Sequence, residues 1–493
     1  MTFNSLEFII FFPIVALIFF GVSPRFRWLW LLMASYLFYA SAKPVFVLFL
    51  FTCTLINYLA GLLISQAQTS KAKGLFLFLG IGGSLSLLIF AKYLTFFSDA
   101  LTNLCPDFLH QWNLPGLNLL VPLGISFFTL QALSYVIDVY QGKRAPEYNF
   151  GIFALYVSFF PLILSGPIER STRLLPQFRQ PVSFDFNRVA SGLRLMLWGF
   201  FQKVVIADRL AVVVNQVYGN PTDYQGISLI IATIFFTFQV YCDFSGYSDI
   251  AIGAARVMGY EVMHNFRQPY FSRSIPEFWH RWHISLSTWF RDYLYIPLGG
   301  NRKGRWTLYR NIMIVFIISG FWHGANWTFI LWGTLHGFYM LASLTWKRIR
   351  HNYKYLLSSV GNGSIAQFVN ISLTFLLVSF AWIFFRAQTL ADALYIVTHL
   401  HVGLWYFLTN ILELGRGKEL IGGNLGLNHF EFMLSACLIC LLGTVHFLQR
   451  RFSLDAFIRR QPICIRWPIY YCLIFSVLLL QKPGTQEFIY IKF

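Results

Sequence analysis

The stretch FWHGANWTF, residues 321–329, places a histidine inside an otherwise apolar region. His323 lies between Trp322 and Trp327, and Asn326 follows three residues later. Burying an imidazole in hydrocarbon has a desolvation cost with no hydrophobic return, so its presence there favours a functional role over a structural one. A buried neutral ring has the protonation state that a general base needs near pH 7. The sequence therefore nominates His323 as a base, with Trp322 and Asn326 as neighbours that bind substrate or orient the ring.

A second polar group occurs in FQVYCDFSGYSDIA, residues 238–251, at the end of an apolar run. Gln239, Asp243 and Tyr247 are its candidate substrate-binding residues. Asp243 and Asp249 are six residues apart and do not share a helical face, so paired-carboxylate catalysis is not favoured. Two interpretations stay open: a polar network that packs helices together, or the lining of a substrate cavity.

A third group lies in EFWHRWHISLSTWFRDYLYIPLGGNRKG, residues 277–304. The tryptophans and aliphatic residues between 279 and 289 predict an amphipathic helix in the membrane interface. His280 and His283 are three apart and would share a face of that helix, but no third metal ligand is in view, so no metal site is predicted.

The end of the same stretch supplies candidate donors for a phosphate. They are Arg291, Asn301, Arg302 and Lys303, the last three in the turn GGNRKG. Arginine and lysine bind phosphate oxygens well. The turn lacks the Walker spacing, however, so a plain basic turn is the alternative interpretation.

The composition indicates an integral membrane protein. The chain has 493 residues, of which 57% are hydrophobic and 12% are charged, against about 25% charged in soluble domains. A span needs about 20 mostly apolar residues. Candidate segments are 6–22, 27–42, 45–65, 75–97, 118–138, 150–165, 188–215, 227–257, 311–345, 367–385, 433–448 and 467–481. We therefore predict an all-α polytopic protein with about eleven transmembrane helices plus re-entrant or interfacial pieces.

The net charge of +18 is spread over several loops. This pattern is typical of cytoplasmic loops, and no separate basic patch indicates nucleic-acid binding. Threading the segments by their flanking charges puts both termini outside the cytoplasm. It also leaves basic residues on both sides of 150–168 and of 311–345, which predicts broken helices, tolerated at membrane depth only when buried or facing a cavity.

The chain reads as a single membrane domain over residues 1–493, with a basic cytoplasmic loop at about 259–310. The seven cysteines are scattered through apolar runs and indicate no redox or metal site. His336, thirteen residues beyond His323, is too far along a helix to share its contacts. From these residues alone, both a membrane acyltransferase and a transporter with broken helices remain open.

Several long stretches resemble the membrane-bound O-acyltransferase family, and within it the bacterial alginate O-acetyltransferase type. They are PLGISFFTLQALSYVIDVY (122–140), FFPLILSGPIER (159–170), YCDFSGYSDIAIG (241–253), NFRQPYFSRSIPEFWHRWHISLSTWFRDYLYIPLGGNRKG (265–304), GFWHGANWTFILWGTLHG (320–337), FAWIFFRAQTLADAL (380–394) and FIYIKF (488–493). The D-alanyl transferases of teichoic acid modification look like cousins that share the RWHISLS-like and WHG elements.

The resemblance implies roles for particular residues. His323 matches the family's catalytic histidine, and His283 matches its second functional histidine. The implied fold is a ring of helices around a central tunnel. The implied donor is acetyl-CoA or another acetyl thioester acting as co-substrate, with no cofactor. The implied partner is a periplasmic acetyltransferase of the SGNH-hydrolase type, and the implied location is the bacterial inner membrane.

The resemblance also leaves the final acceptor open. Alginate, another exopolysaccharide and peptidoglycan are all compatible with it, as is D-alanyl transfer to teichoic acid.

Asn326 and nearby backbone N–H groups are expected to stabilise the oxyanion, and Arg291, Arg302 and Lys303 to hold donor phosphates.

Overall fold

Every regular element among the described residues is helical. The computed structural model describes residues 1–94, 121–302, 304–352, 363–403, 425–482 and 488. The chain divides into two compact units, the first formed by Met1–Met196 and Tyr247–His264, the second by Leu197–Gly246 and Asn265–Phe493. The all-α prediction is confirmed for the described residues.

The helices of the first half of the chain follow the predicted apolar segments closely. They are α1 (Leu6–Gly21), α2 (Arg27–Ala40), α3 (Phe46–Gln66), α4 (Ser70–Leu88), α5 (Ile125–Tyr140), α6 (Phe150–Ser158), α7 (Phe160–Ile163), α8 (Ser171–Gln177), α9 (Phe186–Phe200), α10 (Asp208–Gly219) and α11 (Ile227–Val257). Two π-helical segments, Ile89–Tyr93 and Phe201–Ala207, extend α4 and join α9 to α10.

The second half carries the histidines nominated above. Its helices are α12 (Ile275–Arg281), α13 (Ile284–Phe290), α14 (Arg305–His323), α15 (Trp327–Asn352), α16 (Ser364–Arg386), α17 (Leu390–His399), α18 (His429–Gln449), α19 (Leu454–Arg460) and α20 (Ile463–Leu479). A π-helical turn, Arg291–Tyr295, continues α13.

Five of the described helices are long and apolar enough to cross a membrane. They are α3, α4 with its π-helical extension, α11, α16 and α18, and shorter apolar helices include α1, α5 and α20. Apolar side chains such as Leu17, Phe78 and Ile365 are exposed on them, as lipid-facing residues would be. The total of about eleven spans stays a prediction.

Both predicted helix breaks are present. Segment 150–168 is interrupted at Phe159, between α6 and α7. Segment 311–345 is interrupted between His323 and Trp327, so that α14 and α15 form a helical hairpin around GAN. The basic residues on both sides of each segment had indicated these breaks, and both are confirmed.

The predicted single amphipathic helix over 279–289 is wrong. The segment forms two short helices, α12 and α13, separated at Trp282 and His283. Trp282 and Leu286 are buried within the protein, and the location of the segment at the membrane interface stays a prediction. His280 is exposed whereas His283 is buried, so the two histidines do not share a face.

The hairpin of α14 and α15 depends on two glycines at its crossing. A Cβ atom at Gly320 would collide with the carbonyl oxygen of Phe329, and one at Gly333 would collide with that of Phe316. The two helix backbones therefore touch, as small residues allow at membrane helix crossings. This contact fixes the end of α14, and with it the position of His323.

We predict that Gly320→Ala lowers the thermal unfolding midpoint of the purified protein relative to the wild type. The added methyl group has to separate the two backbones, and overpacking of this kind costs about 1–3 kcal/mol. The measurement is thermal unfolding in detergent. Gly443→Ala is the matched control, because nothing lies within 4 Å of a Cβ atom there. Equal midpoints for the two variants would contradict the crossing.

Candidate active site

His323 is the last residue of α14 and is 3% exposed. Its ring centroid lies 4.9 Å from that of Trp322, 5.0 Å from that of Trp332 and 5.4 Å from that of Phe385. The rings of Trp332 and Phe385 meet it edge to face. The aromatic walls restrict the imidazole and keep bulk water away from it.

His283 occupies a strained turn between α12 and α13. Its φ of 42° and ψ of 55° lie in the left-handed region, which is uncommon for a residue with a side chain. Asn265 holds the turn, because its carbonyl accepts from the N–H of Ile284 at 3.0 Å and its side-chain oxygen accepts from the Ser285 hydroxyl at 2.6 Å. Strain of this kind is stored mainly at functional sites.

The structure brings the two nominated histidines together. The ring centroids of His283 and His323 are 6.3 Å apart at an interplanar angle of 56°. The Trp322 ring is a neighbour of both, at 6.1 Å from His283 and 4.9 Å from His323. The His283 ring also contacts the ring of Phe244, edge to face, with the two centroids 4.6 Å apart. A pair of imidazoles with one shared tryptophan is thus the centre of the site.

An aromatic cluster supports this pair, and the sequence did not identify it. Trp332 and Trp382 stack at 5.6 Å, and Trp382 contacts Trp282, the residue before His283. His336 is buried against Trp332 at 5.1 Å and, among the described residues, neither of its ring nitrogens has a hydrogen-bond partner. His336 and His323 therefore share Trp332 as a neighbour, a link that their spacing along the chain did not indicate.

Asp243 belongs to a buried ion-pair network. Its carboxylate lies 2.6 Å from the ammonium of Lys203, which also contacts Asp208 at 2.8 Å. Lys203 and Asp243 are almost fully buried. The sequence nominated Asp243 but missed Lys203, although a lysine inside the apolar segment 188–215 is itself an intramembrane charge and a functional signal.

Gln239, one turn before Asp243 on α11, is also buried, and its side-chain oxygen accepts no hydrogen bond from the described residues. Tyr247 lies on the same helix but belongs to the first unit, where its ring stacks on that of Phe3 at 4.4 Å. The polar group read from residues 238–251 is therefore divided between the two units.

Asn326 caps a helix. Its side-chain oxygen accepts from the N–H of Thr328 at 3.1 Å, and its amide group donates to the carbonyl of Gln388 at 3.0 Å. Side-chain capping of this kind satisfies N–H groups that the first helical turn leaves unbonded. The observed role of Asn326 is to begin α15 immediately after the GAN break.

A cavity of about 570 Å³ lies in the second unit, between α12, α13, α14 and α15. Ser319, which lines it, is one helical turn before His323, and Ile284, also in its wall, directly follows His283. Most of the wall is apolar, with Trp279 and Phe316 among its larger side chains. Small-molecule sites commonly enclose about 300–1,000 Å³ with a few polar groups.

Two of the four nominated phosphate donors line this cavity. Arg291 is 60% exposed and pairs with Asp292 at 2.8 Å, and Asn301 is exposed nearby. Arg302 is exposed in the following turn, and Lys303 lies outside the described residues. Asn311, buried on α14 and not nominated by the sequence, holds this turn by donating to the carbonyls of Leu298 and Gly300 at 3.2 and 3.0 Å.

Comparisons with known proteins identify relatives of this chain. The model of MBOAT, the membrane-bound O-acyltransferase family, matches residues 144–380. The probable alginate O-acetylase AlgI of Pseudomonas putida is 40% identical over 395 residues, which cover 79% of this chain and 78% of that protein. The peptidoglycan O-acetyltransferase of Helicobacter pylori is 36% identical over 76% of this chain and 73% of its own length. The teichoic acid D-alanyltransferase of Bacillus subtilis is 28% identical over 73% of this chain and 89% of its own length.

Burial of His283 predicts an acid-dependent loss of stability. Desolvation lowers the pKa of this ring from 6.5 to about 3. Below about pH 6.5 the unfolded chain binds a proton that the folded site refuses, so stability falls as the pH falls from about 6.5 towards 3, by up to about 1.4 kcal/mol per pH unit. We expect His283→Asn to reduce this fall, measured as the thermal midpoint at about pH 7.5 and about pH 5.

Asparagine suits this test because it tolerates the left-handed backbone of residue 283 while removing the imidazole. His280→Asn changes an exposed histidine three residues earlier and is expected to keep the wild-type acid dependence. If the His283→Asn variant loses as much stability on acidification as the wild type, the acid-dependent loss does not come from the His283 ring.

Proposed function

This chain belongs to the membrane-bound O-acyltransferase family and is a multi-pass membrane O-acyltransferase, and from that premise we propose that the group it transfers is acetyl. The donor is a thioester, acetyl-CoA or another acetyl thioester, that enters from the cytoplasmic side. The acetyl group serves the O-acetylation of a polysaccharide outside the cytoplasm.

One observation carries this proposal: two buried histidines lie side by side, and their neighbours in the chain line a cavity. His283 and His323 are 6.3 Å apart, and the cavity wall includes the residue after His283 and the residue one turn before His323. Neither imidazole lines the cavity itself, so in our proposal the reacting carbonyl reaches them past Ile284 and Ser319, in a setting from which bulk water is excluded.

The reaction needs one group that accepts the proton of the acceptor hydroxyl and one group that donates a proton to the leaving thiolate. In our proposal a neutral His323 takes the proton of the acceptor hydroxyl as its oxygen attacks the thioester carbon. The C–O bond forms, the C–S bond breaks, and the proton passes to the thiolate sulfur. A second route forms an acetyl-imidazole on His323 first, releases the thiol, and passes the acetyl group to the hydroxyl in a second step.

The cavity supports a donor that is larger than its acetyl group. About 570 Å³ exceeds the space that an acetyl group needs and suits an extended thioester arm. Arg291 and Asn301 line this cavity, and in our proposal they hold the phosphates of such a donor together with Arg302 and Lys303, which follow Asn301 in the sequence. The helix cap at Asn326 favours a positioning role for this residue, because the N–H groups of Thr328, Phe329 and Ile330 already donate to its oxygens.

The choice of acceptor rests on relatives. Alginate or another exopolysaccharide is the first proposal, because the probable alginate O-acetylase AlgI of Pseudomonas putida is 40% identical. Peptidoglycan is the second, because the peptidoglycan O-acetyltransferase of Helicobacter pylori is 36% identical over a similar share of the chain. D-Alanyl transfer is less favoured, since the Bacillus subtilis relative is 28% identical.

The remaining parts of the proposal concern the setting. We propose that the chain lies in the bacterial inner membrane as one domain, with both termini in the periplasm and its helices in a ring around a central tunnel. The acetyl group would then pass to a periplasmic acetyltransferase partner of the SGNH-hydrolase type. The basic segment 259–310 would face the cytoplasm, in keeping with the distribution of its charges.

We expect His323→Gln to abolish acetyl transfer. The measurement is the loss of acetyl-labelled CoA by purified protein in nanodiscs, with label recovered on an acceptor polysaccharide and its partner. The rate should fall by about 10²–10⁴-fold, the usual contribution of a general base. The exposed His429→Gln variant is the matched control and should keep the wild-type rate.

Unchanged turnover of His323→Gln would overturn the proposed role of this ring. Mass analysis of the protein after a short reaction separates the two routes, since a mass increase of one acetyl group at His323 appears only on the two-step route. Turnover with D-alanyl thioester but not with acetyl thioester would overturn the choice of acyl group.

We expect Val315→Trp to weaken donor binding by filling the cavity. Val315 lines the cavity from α14, so the larger ring occupies the space assigned to the thioester arm. The KM for the donor should rise while kcat changes less, because the lost contacts bind the donor equally well in the ground state and in the transition state. Ile317→Trp places the same ring on an exposed position of α14 that does not line the cavity and is expected to leave KM unchanged. A shared effect of both variants would contradict the donor assignment.

A further inference from the structure

A cluster of arginines at the end of α18 is not used by the proposed reaction. Arg450 and Arg451 directly follow α18, and Arg273 and Arg281, on the segment that leads into α12 and through it, lie near Arg450. All four side chains are at least partly exposed. The cluster is therefore accessible, and its position is the end of a candidate membrane span.

Two side-chain contacts hold the cluster together. The side-chain amide of Gln268 donates to that of Gln449 at 3.2 Å, which joins the loop before α12 to the last turn of α18. The guanidinium of Arg450 lies 5.4 Å over the ring of Phe271. Gln268 itself has a φ of 44°, one of two positive values among described residues other than glycine. Because a specific contact holds Gln268 in this strained backbone conformation, the surface around it has a defined shape.

Positive charge is in excess here. Glu277 is the carboxylate of the cluster, and it pairs with Arg281 at 2.6 Å while its other oxygen accepts from the backbone N–H of Arg273 at 2.8 Å. The guanidinium groups of Arg273 and Arg450 form no ion pair with any described residue. The pKa of Arg450 is lowered mainly by burial and further by the positive charges of Arg281 and Arg273. The three guanidinium groups therefore repel one another. An anion that bridges them would relieve this repulsion.

The membrane supplies such an anion at this depth. Phospholipid phosphates lie at the ends of transmembrane helices, where arginine and aromatic side chains accumulate. Arginine binds phosphate with two parallel hydrogen bonds, which gives it more specificity than a diffuse positive charge. Each basic residue near an anionic surface strengthens this attraction.

We propose that Arg273, Arg281 and Arg450 form a binding site for the phosphate of an anionic phospholipid at the end of α18. The lipid phosphate lies between the loop before α12 and the end of the span. Because α12 runs directly into Trp282 and His283, a lipid bound here also fixes the base of the turn that carries His283. The binding itself does not depend on the proposed acetyl transfer.

The test compares lipid retention by the full-length protein and by Arg273→Gln/Arg450→Gln. Both proteins are purified with a mixture of phosphatidylglycerol and phosphatidylcholine, and retained lipid is counted by native mass spectrometry. We expect the variant to bind phosphatidylglycerol at least about tenfold more weakly and to lose the thermal stabilisation that this lipid gives the wild type. Phosphatidylcholine retention should be equal in both.

Arg459→Gln/Arg460→Gln is the matched control, since it removes two exposed arginines from the neighbouring helix α19. An equal loss in this control would mean that total charge, and not this site, binds the lipid, and would overturn the proposal. Full competition by CoA in place of the lipid would overturn it as well, by assigning the site to the donor. If the glutamine variant does not fold, Arg273→Lys/Arg450→Lys replaces it. Partial loss of retention in the lysine variant supports bidentate binding, and retention at the wild-type level overturns it.

Discussion

The close crossing of α14 and α15 is the constraint on which the site depends. Gly320 and Gly333 let the two backbones touch, so the chain can reverse over the three residues that follow His323. A wider crossing would need a longer connection and would move the imidazole out of its aromatic surroundings. The site is therefore built from backbone proximity first and from side chains second, which is the usual order in membranes, where packing replaces the hydrophobic effect between helices.

The same interior has to accommodate polar groups without water. Lys203 meets two carboxylates, Asn265 bonds both a backbone N–H and a hydroxyl, and Asn311 bonds two carbonyls. Each of these contacts ties a loop or a neighbouring segment to a helix near the histidines. Breaking a buried ion pair or hydrogen bond leaves a costly unpaired group, so such contacts fix one arrangement. These buried polar contacts thus help to hold the segments that carry the histidines in place.

The sequence predicted the elements better than their junctions. Apolar runs located α11 at its observed bounds, and the charges flanking 150–168 and 311–345 indicated the two breaks. The break at His283 was missed because its spacing also fits an amphipathic helix, and the contacts with Asn265 that select the turn are tertiary. Lys203 was missed for a similar reason, since one of its partners, Asp243, is forty positions away in the chain. Tyr247 and Asp243, four residues apart, belong to different units, a division that no local pattern reveals.

Two strained residues among those that the structure describes connect the end of α18 with the candidate site. Gln268 and His283 are the described residues other than glycine with positive φ, and both lie in the segment that passes from the end of α18 to the site. The first is held by Gln449 at the membrane span and the second by Asn265 beside α13. The segment that contains α12 is therefore held on both sides, with Arg281 at the C-terminal end of α12 and His283 two residues beyond it. A lipid bound to Arg281 in the proposed site would thus lie two residues of chain from the imidazole, and Trp279 and Ile284 of the same segment line the cavity.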